Sequence, residues 1–245
     1  MDSVEVEICV NSDRLRELRP AVAAAYAGGA GTIELCSAMH LDGLTPRRQQ
    51  IVAARAAFRE RKGLMAMIRP RAGDFCYGAR EHATMLRQIR MAAECGADGV
   101  VFGTLRGDGQ IDAAALGELV AASRDRGLAT TFHRAVDAVP DQLAALETLI
   151  GAGVDRVMAS GTPWGRPGGA LEGRGQLARL IELAAGRIAV VIGGGVNQGN
   201  IPAILAALPP NATRVSFHAY SGAHAAGVTT AAAVRALVDA ANPAG

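Results

Sequence analysis

One rhythm constrains this chain more than any other feature: eight short β-rich runs alternate with Ala-, Leu- and Arg-rich stretches of helical spacing. The runs fall at about 4–10, 32–36, 64–69, 99–103, 129–133, 156–160, 188–193 and 214–218, and clear helical stretches lie at 113–126 and 142–151. Eight strand–helix units in 245 residues match the usual length of a (βα)8 TIM barrel. A doubly wound sheet is the other α/β solution, but it usually has fewer strands. No linker, low-complexity tract or charge block marks a second unit, so residues 1–245 read as a single domain.

A weak repeat supports the barrel. Gly29-Ala30-Gly31, Gly96-Ala97-Asp98 and Gly153-Val154-Asp155 each precede a β-rich run, at intervals of roughly 60 residues. Glycine there suits the left-handed cap that ends a helix. Ser12, Thr45 with Pro46, Asp112 and Thr229 read as helix N-caps.

Composition narrows the function classes. Half of the residues are hydrophobic and only 4% aromatic, so Ala, Val, Ile and Leu must build the core. The net charge is +2, and no basic stripe is interleaved with aromatics, which argues against a nucleic-acid partner. No apolar run approaches about 18 residues, so no membrane span is expected. Met1-Asp2-Ser3-Val4-Glu5 lacks the basic-then-apolar pattern of a signal peptide, and a cytoplasmic location is expected. The four cysteines form no CxxC pair and are expected as free thiols.

Strand parity then sorts side chains into two faces. In the first run Val4, Val6, Ile8 and Val10 belong against the helices, which turns Glu5, Glu7, Cys9 and Asn11 inward. The same reading turns inward Thr32, Glu34 and Cys36; Met65, Met67 and Arg69; Thr131 and His133; Met158 and Ser160; and Arg214, Ser216 and His218. Barrel interiors are normally branched aliphatics, and a buried unpaired charge costs several kcal/mol. Glu7, Glu34, Arg69, His133 and His218 must therefore neutralise one another, as a structural ion-pair network, or meet a polar ligand. Glu7 and Glu34 read as a carboxylate pair whose repulsion would raise one pKa. His133 reads as an acid or base, and Asp137 either orients it or caps the next helix.

The loops after the strands add candidates. Arg69 and Arg71 offer guanidiniums for clamping an anion, with Arg134 and Ser160 near them. Gly193-Gly194-Gly195 offers either an anion-binding turn before a helix or a tight turn that merely needs space. The Gly-rich stretch 161–173 holds the only Trp, Trp164, and reads as a lid over the rim or as a plain flexible loop. Cys9 and Cys36 face inward near adjacent strand ends. They are either small buried hydrophobes or ligands for a soft cation such as Cu(I).

Several chemistries are excluded. The only lysine, Lys62, precedes the third run and so lies away from the rim, which removes Schiff-base and pyridoxal-phosphate chemistry. The glycine run has Gln198 where a dinucleotide fingerprint needs glycine, so neither NAD nor FAD is expected. There is no His-x-His pair, HExxH or GxSxG.

Segments across nearly the whole chain together resemble the CutC family: Glu7-Ile8-Cys9, Ile33-Glu34-Leu35-Cys36-Ser37, Gly43-Leu44-Thr45-Pro46, Ile68-Arg69-Pro70-Arg71 through Tyr77, Thr131-Phe132-His133-Arg134-Ala135-Val136-Asp137, Ser160-Gly161, Gly193-Gly194-Gly195-Val196 and Phe217-His218-Ala219. The resemblance implies a (βα)8 barrel, a cytoplasmic location, often a homodimer or higher homo-oligomer, and copper handling with Cu(I) as ligand. Asp42 before Gly43, Arg47 and Arg48 after Pro46, and Tyr220-Ser221 after Ala219 depart from the family pattern, which touches the rim loops rather than the fold. Two functional expectations follow. One is a copper-homeostasis protein using Cys9 and Cys36. The other is an enzyme of lyase, isomerase or glycoside-cleaving type on a small anionic or sugar-like molecule, with Glu7, Glu34, His133 and Asp137 catalytic and Arg69, Arg71, Arg134, Ser160, Gly193–Gly195 and His218 binding. A non-catalytic scaffold is the third alternative.

Overall fold

Successive parallel strands must be joined by crossovers, and seven crossovers of one hand set eight strands side by side so that the sheet can close on itself. The computed structural model describes residues 3–243, and in it β1 (Glu5–Asn11), β2 (Thr32–Cys36), β3 (Leu64–Met67), β4 (Gly99–Phe102), β5 (Ala129–Phe132), β6 (Arg156–Ala159), β7 (Ala189–Ile192) and β8 (Val215–Ala219) form a closed barrel. Every neighbouring pair is parallel, including β8 with β1. Outside lie α1 (Leu15–Gly28), α2 (Arg48–Phe58), α3 (Ala79–Glu94), α4 (Ala113–Arg124), α5 (Gln142–Gly151), α6 (Arg174–Ala184), the short α7 (Ile201–Leu205) and α8 (Ala231–Ala241). The expected (βα)8 barrel is thus present.

The alternation within β1 divides the molecule into two cores. Val6, Ile8 and Val10 pack with Leu18 and Val22 of α1 in the large layer between sheet and helices. Cys9, Cys36, Met65, Met67 and Val101 form a separate small cluster inside the barrel. Five strands end before the expected runs do, because Arg69, Gly103, His133, Ser160 and Gly193 have already left the strand for the rim. At β8 the strand starts one residue late. Arg214 stands at φ 53° and donates to the Gly186 carbonyl (3.1 Å), so it is not inward-facing.

Gly29, Gly96 and Gly153 do take the left-handed conformation, at φ 93°, 85° and 75°. In two copies the aspartate two residues on fastens an earlier strand. Asp98 accepts from the Gly63 and Leu64 amides (2.9 and 3.0 Å), and Asp155 from the Thr130 amide (2.8 Å). Asp112 caps α4 through the Ala115 amide (3.0 Å). The cap of α8 is Thr230 rather than Thr229. Ser12 caps nothing: its hydroxyl is buried, and α1 begins after Arg14. Thr45 is likewise no cap, since it accepts from the Arg69 amide (2.8 Å) and donates to Gln88 (2.9 Å), tying the β2 loop to β3 and α3. Among the described residues no helix is long and apolar enough to cross a membrane.

Candidate ligand hollow at the C-terminal mouth

Parallel register sets the floor of the site. Cys9 lies beside Glu34, and Asn11 beside Cys36, so Cys9, Glu34 and Cys36 all turn into the barrel. One donor atom from each lies within 4.8 Å of the others, and all three residues are buried. A 3-10 turn at Met39–Leu41 brings Met39 over them, with its Sδ 3.9 Å from Cys9 Sγ. That turn is entered through Ala38 (φ 49°) and left through Asp42 (φ 62°) and Gly43 (φ 84°). A Cβ on Gly43 would stand 3.3 Å from Cys36 Sγ, so glycine there keeps the thiol uncrowded. The hydrogen bond with Cys9 and burial push the Cys36 thiol well above its usual range, so it is protonated in this state.

From β8, His218 Nε2 reaches Glu34 Oε2 at 2.9 Å. Burial alone would raise the Glu34 pKa, but the imidazole charge and hydrogen bond of His218 lower it. Burial likewise opposes charge on His218, and Glu34 lifts it well above the ordinary imidazole value. The pair is therefore ionic, carboxylate with imidazolium. Glu34 Oε1 has no protein partner.

Arg69 closes the hollow from the β3 side. Its Nη1 donates to the Leu41 and Gly43 carbonyls (2.6 and 3.1 Å) and its Nη2 to the Gly73 carbonyl (3.0 Å), while Nε is unpartnered. It is 2% exposed. His133 accepts from the Ala135 amide at Nδ1 (3.1 Å), which leaves its proton on Nε2, and Nε2 also has no partner. Burial, followed by the Arg69 charge, lowers the His133 pKa to about 4. Phe75 lies against its ring at 4.9 Å between centroids. Arg134 and Trp164 complete the rim, the guanidinium 5.2 Å from the indole centroid. The result is a hollow of about 260 Å³ with a sulfur-rich floor and a cationic, aromatic wall.

The structure thus brings together Cys9, Cys36, Glu34, Arg69, His133, Arg134 and His218. Four other expectations fail on geometry. Glu7 lies elsewhere: its Oε2 takes Arg156 and Thr32 (both 2.8 Å) at the opposite mouth, so there is no Glu7–Glu34 carboxylate pair. Arg71 is spent on its own loop, bonding Asp74, Glu81 and the Cys76 carbonyl, and does not line the hollow. Asp137 does not orient His133. It accepts from Arg134 (2.8 Å), Ser160 Oγ (2.8 Å) and Gln142 (3.1 Å), and burial raises its pKa against those partners. Ser160 sits beneath Arg134, within that network and off the hollow wall. The Gly193–Gly195 run packs against the 161–173 stretch, where the Gly194 carbonyl accepts from the Ala170 amide (2.8 Å) and a Cβ on Gly169 would stand 2.5 Å from that oxygen, and it does not line the hollow. Gly193 serves by its smallness, since a Cβ there would stand 3.2 Å from Met158 Cγ. The same contacts fasten the two ends of the 161–173 stretch, with Trp164 N bonded to the Asp137 carbonyl (2.8 Å), while 165–168 between them are exposed.

Sequence reasoning missed Met39, Asp42, Phe75 and Tyr220 as lining residues, whereas Trp164, one of whose two readings set it over the rim, does line the hollow. Arg156 was also missed, although it shares parity with Met158.

Interior thiols, an ion pair and a buried guanidinium converging at the C-terminal mouth make this a (βα)8 protein with a candidate site where such barrels keep theirs. The CutC family profile matches residues 4–218, and the chain belongs to the CutC family. The mouse and human proteins named copper homeostasis protein cutC homolog are each 44% identical over 200 residues, covering 82% of this chain and 68% of theirs. A CutC family protein of Caulobacter vibrioides is 42% identical over 199 residues, 81% of this chain and 75% of its own length. The structure of CutC from Streptococcus agalactiae aligns with TM-score 0.75 and 29% identity, covering 88% of this chain and 98% of that one. A native KDPGal structure aligns with TM-score 0.67 but 17% identity, which is likeness of fold alone.

Proposed function

We propose that this chain is a copper-homeostasis protein of the cytoplasm that takes Cu(I) as its cargo at Cys9 and Cys36. The observation that carries this is the convergence of Cys9, Cys36 and Glu34 within 4.8 Å, with the Met39 thioether 3.9 Å from Cys9. Thiolate and thioether donors select soft cations, relatives' names point to copper, and Cu(I) is its soft form. Glu34 would add negative charge beside the metal, and His218 would hold that carboxylate in place. A mouth on the C-terminal side leaves the sulfurs reachable by a small copper donor. In the reducing cytoplasm these thiols stay free, which the binding requires.

Anaerobic competition for Cu(I) against a chromogenic chelator tests this. The wild-type protein is expected to withdraw one Cu(I). Cys9→Ser/Cys36→Ser is expected to lose more than about a hundredfold in affinity, since loss of outer-shell partners alone reaches 10–100-fold. Equal affinity in the double variant overturns the assignment.

A further inference from the structure

The charges around the hollow do not all pair off. Glu34 is matched by His218, and Asp137 by Arg134. Arg69 is matched by nothing among the described residues: it is 2% exposed, and its protein partners are three neutral main-chain carbonyls. A buried guanidinium without an anion is costly, and it lines a cavity rather than the packed core. Three donors there are free of protein partners: Arg69 Nε, His133 Nε2–H and Arg134 Nη1. Between them and the thiol floor the walls are apolar, from Met67, Phe75, Met158 and Trp164.

We propose that the hollow binds a small organic monocarboxylate, its carboxylate held at Arg69, His133 and Arg134 and its body against Phe75 and Trp164. A guanidinium with no anion in contact calls for a negative group at its free edge. The exposed Asp42 at the mouth disfavours the divalent form of phosphate. The apolar walls call for a carbon body that inorganic anions lack. A neutral imidazole donating from Nε2 adds a directed hydrogen bond, which sets the carboxylate's orientation. This site is independent of the thiols, so it stands whether or not the protein carries copper.

The experiment uses the full chain, metal-free and kept so by a chelator, at pH 7 and low chloride. Pyruvate, 3-phenylpropionate and inorganic phosphate are each titrated by calorimetry, and the histidine side-chain resonances are followed by long-range proton–nitrogen NMR. A monocarboxylate is expected to bind and to shift the His133 Nε2 resonance. His133→Phe keeps the ring volume against Phe75 and is expected to weaken that binding about tenfold, the effect of losing one hydrogen bond to a charged group. Arg69→Gln is expected to abolish it. Because Arg69 also ties two loops, His133→Phe and the resonance shift decide the matter should Arg69→Gln fail to fold. Three results overturn the proposal: no carboxylate binding to the wild-type protein, binding unchanged in His133→Phe, or phosphate bound more tightly than either carboxylate.

Discussion

The two mouths of this barrel are built from the same residue types and use them in opposite ways. At the N-terminal mouth Glu7, Asp98 and Asp155 each hold partners of the barrel itself, though Glu7 Oε1 is left without one. Glu7 holds Arg156 and Thr32, Asp98 holds Arg55 and two strand amides, and Asp155 holds the Thr130 amide and hydroxyl. At the C-terminal mouth, Arg69 has no anion, Glu34 keeps one oxygen free, His133 Nε2 is unpaired and two thiols face the hollow. Matched charge at one end closes the barrel and specifies its register. Unmatched charge at the other end is instability retained in the fold, which is where ligands act.

The sharpest way to break that contrast is to unbalance the matched end. Glu7→Gln leaves the half-buried Arg156 without its carboxylate and is expected to cost about 3 kcal/mol in denaturant unfolding. Cu(I) affinity should not change, and a comparable loss in copper binding would show that the two mouths are not separate. The second test uses pH at the unmatched end. His133 faces Arg69, Arg134 and Glu34, and its folded pKa of about 4 lies below the unfolded value near 6.5. The unfolded chain therefore binds a proton that the folded chain refuses. The stability held by neutral His133 is complete above pH 6.5 and lost as pH falls towards 4, to a total of roughly 3 kcal/mol. His133→Phe should flatten that part of the stability–pH curve relative to wild type, and parallel curves would refute the assignment. The smallest effect is expected at Arg71. Its partners Asp74 and Glu81 are partly exposed, so Arg71→Ala should cost within about 1 kcal/mol and leave ligand binding unaltered. A large change in binding would return Arg71 to the site.

Much of this was legible in the sequence because two periodicities carry it. The strand–helix rhythm specified eight strands, and parity within them named Cys9, Glu34, Cys36, Arg69, His133 and His218 as interior residues, which are the ones the hollow gathers. Parity reports the face but not the height. Glu7 and Cys9 share a face of β1 yet serve opposite mouths, and that placed Glu7 wrongly beside Glu34. Loop residues gave weaker signals, since hydrogen-bond partners decide their role. Arg71 and Asp137 looked like Arg69 and His133 in the sequence, and only the contacts with Glu81 and Ser160 show them to be fasteners. Met39 and Asp42 reach the hollow through a turn that needs left-handed backbone at Ala38 and Asp42, a conformation that neither residue announces. Arg156 was readable by parity alone.

The central claim is that sulfur from two adjacent strands meets a metal at the open mouth. X-ray absorption at the copper edge of the Cu(I)-loaded protein addresses it without reference to activity or affinity. The account predicts a first shell dominated by sulfur in the wild-type protein, with that contribution gone in Cys9→Ser/Cys36→Ser. A shell of nitrogen and oxygen alone, or a sulfur shell that survives the double substitution, would contradict it.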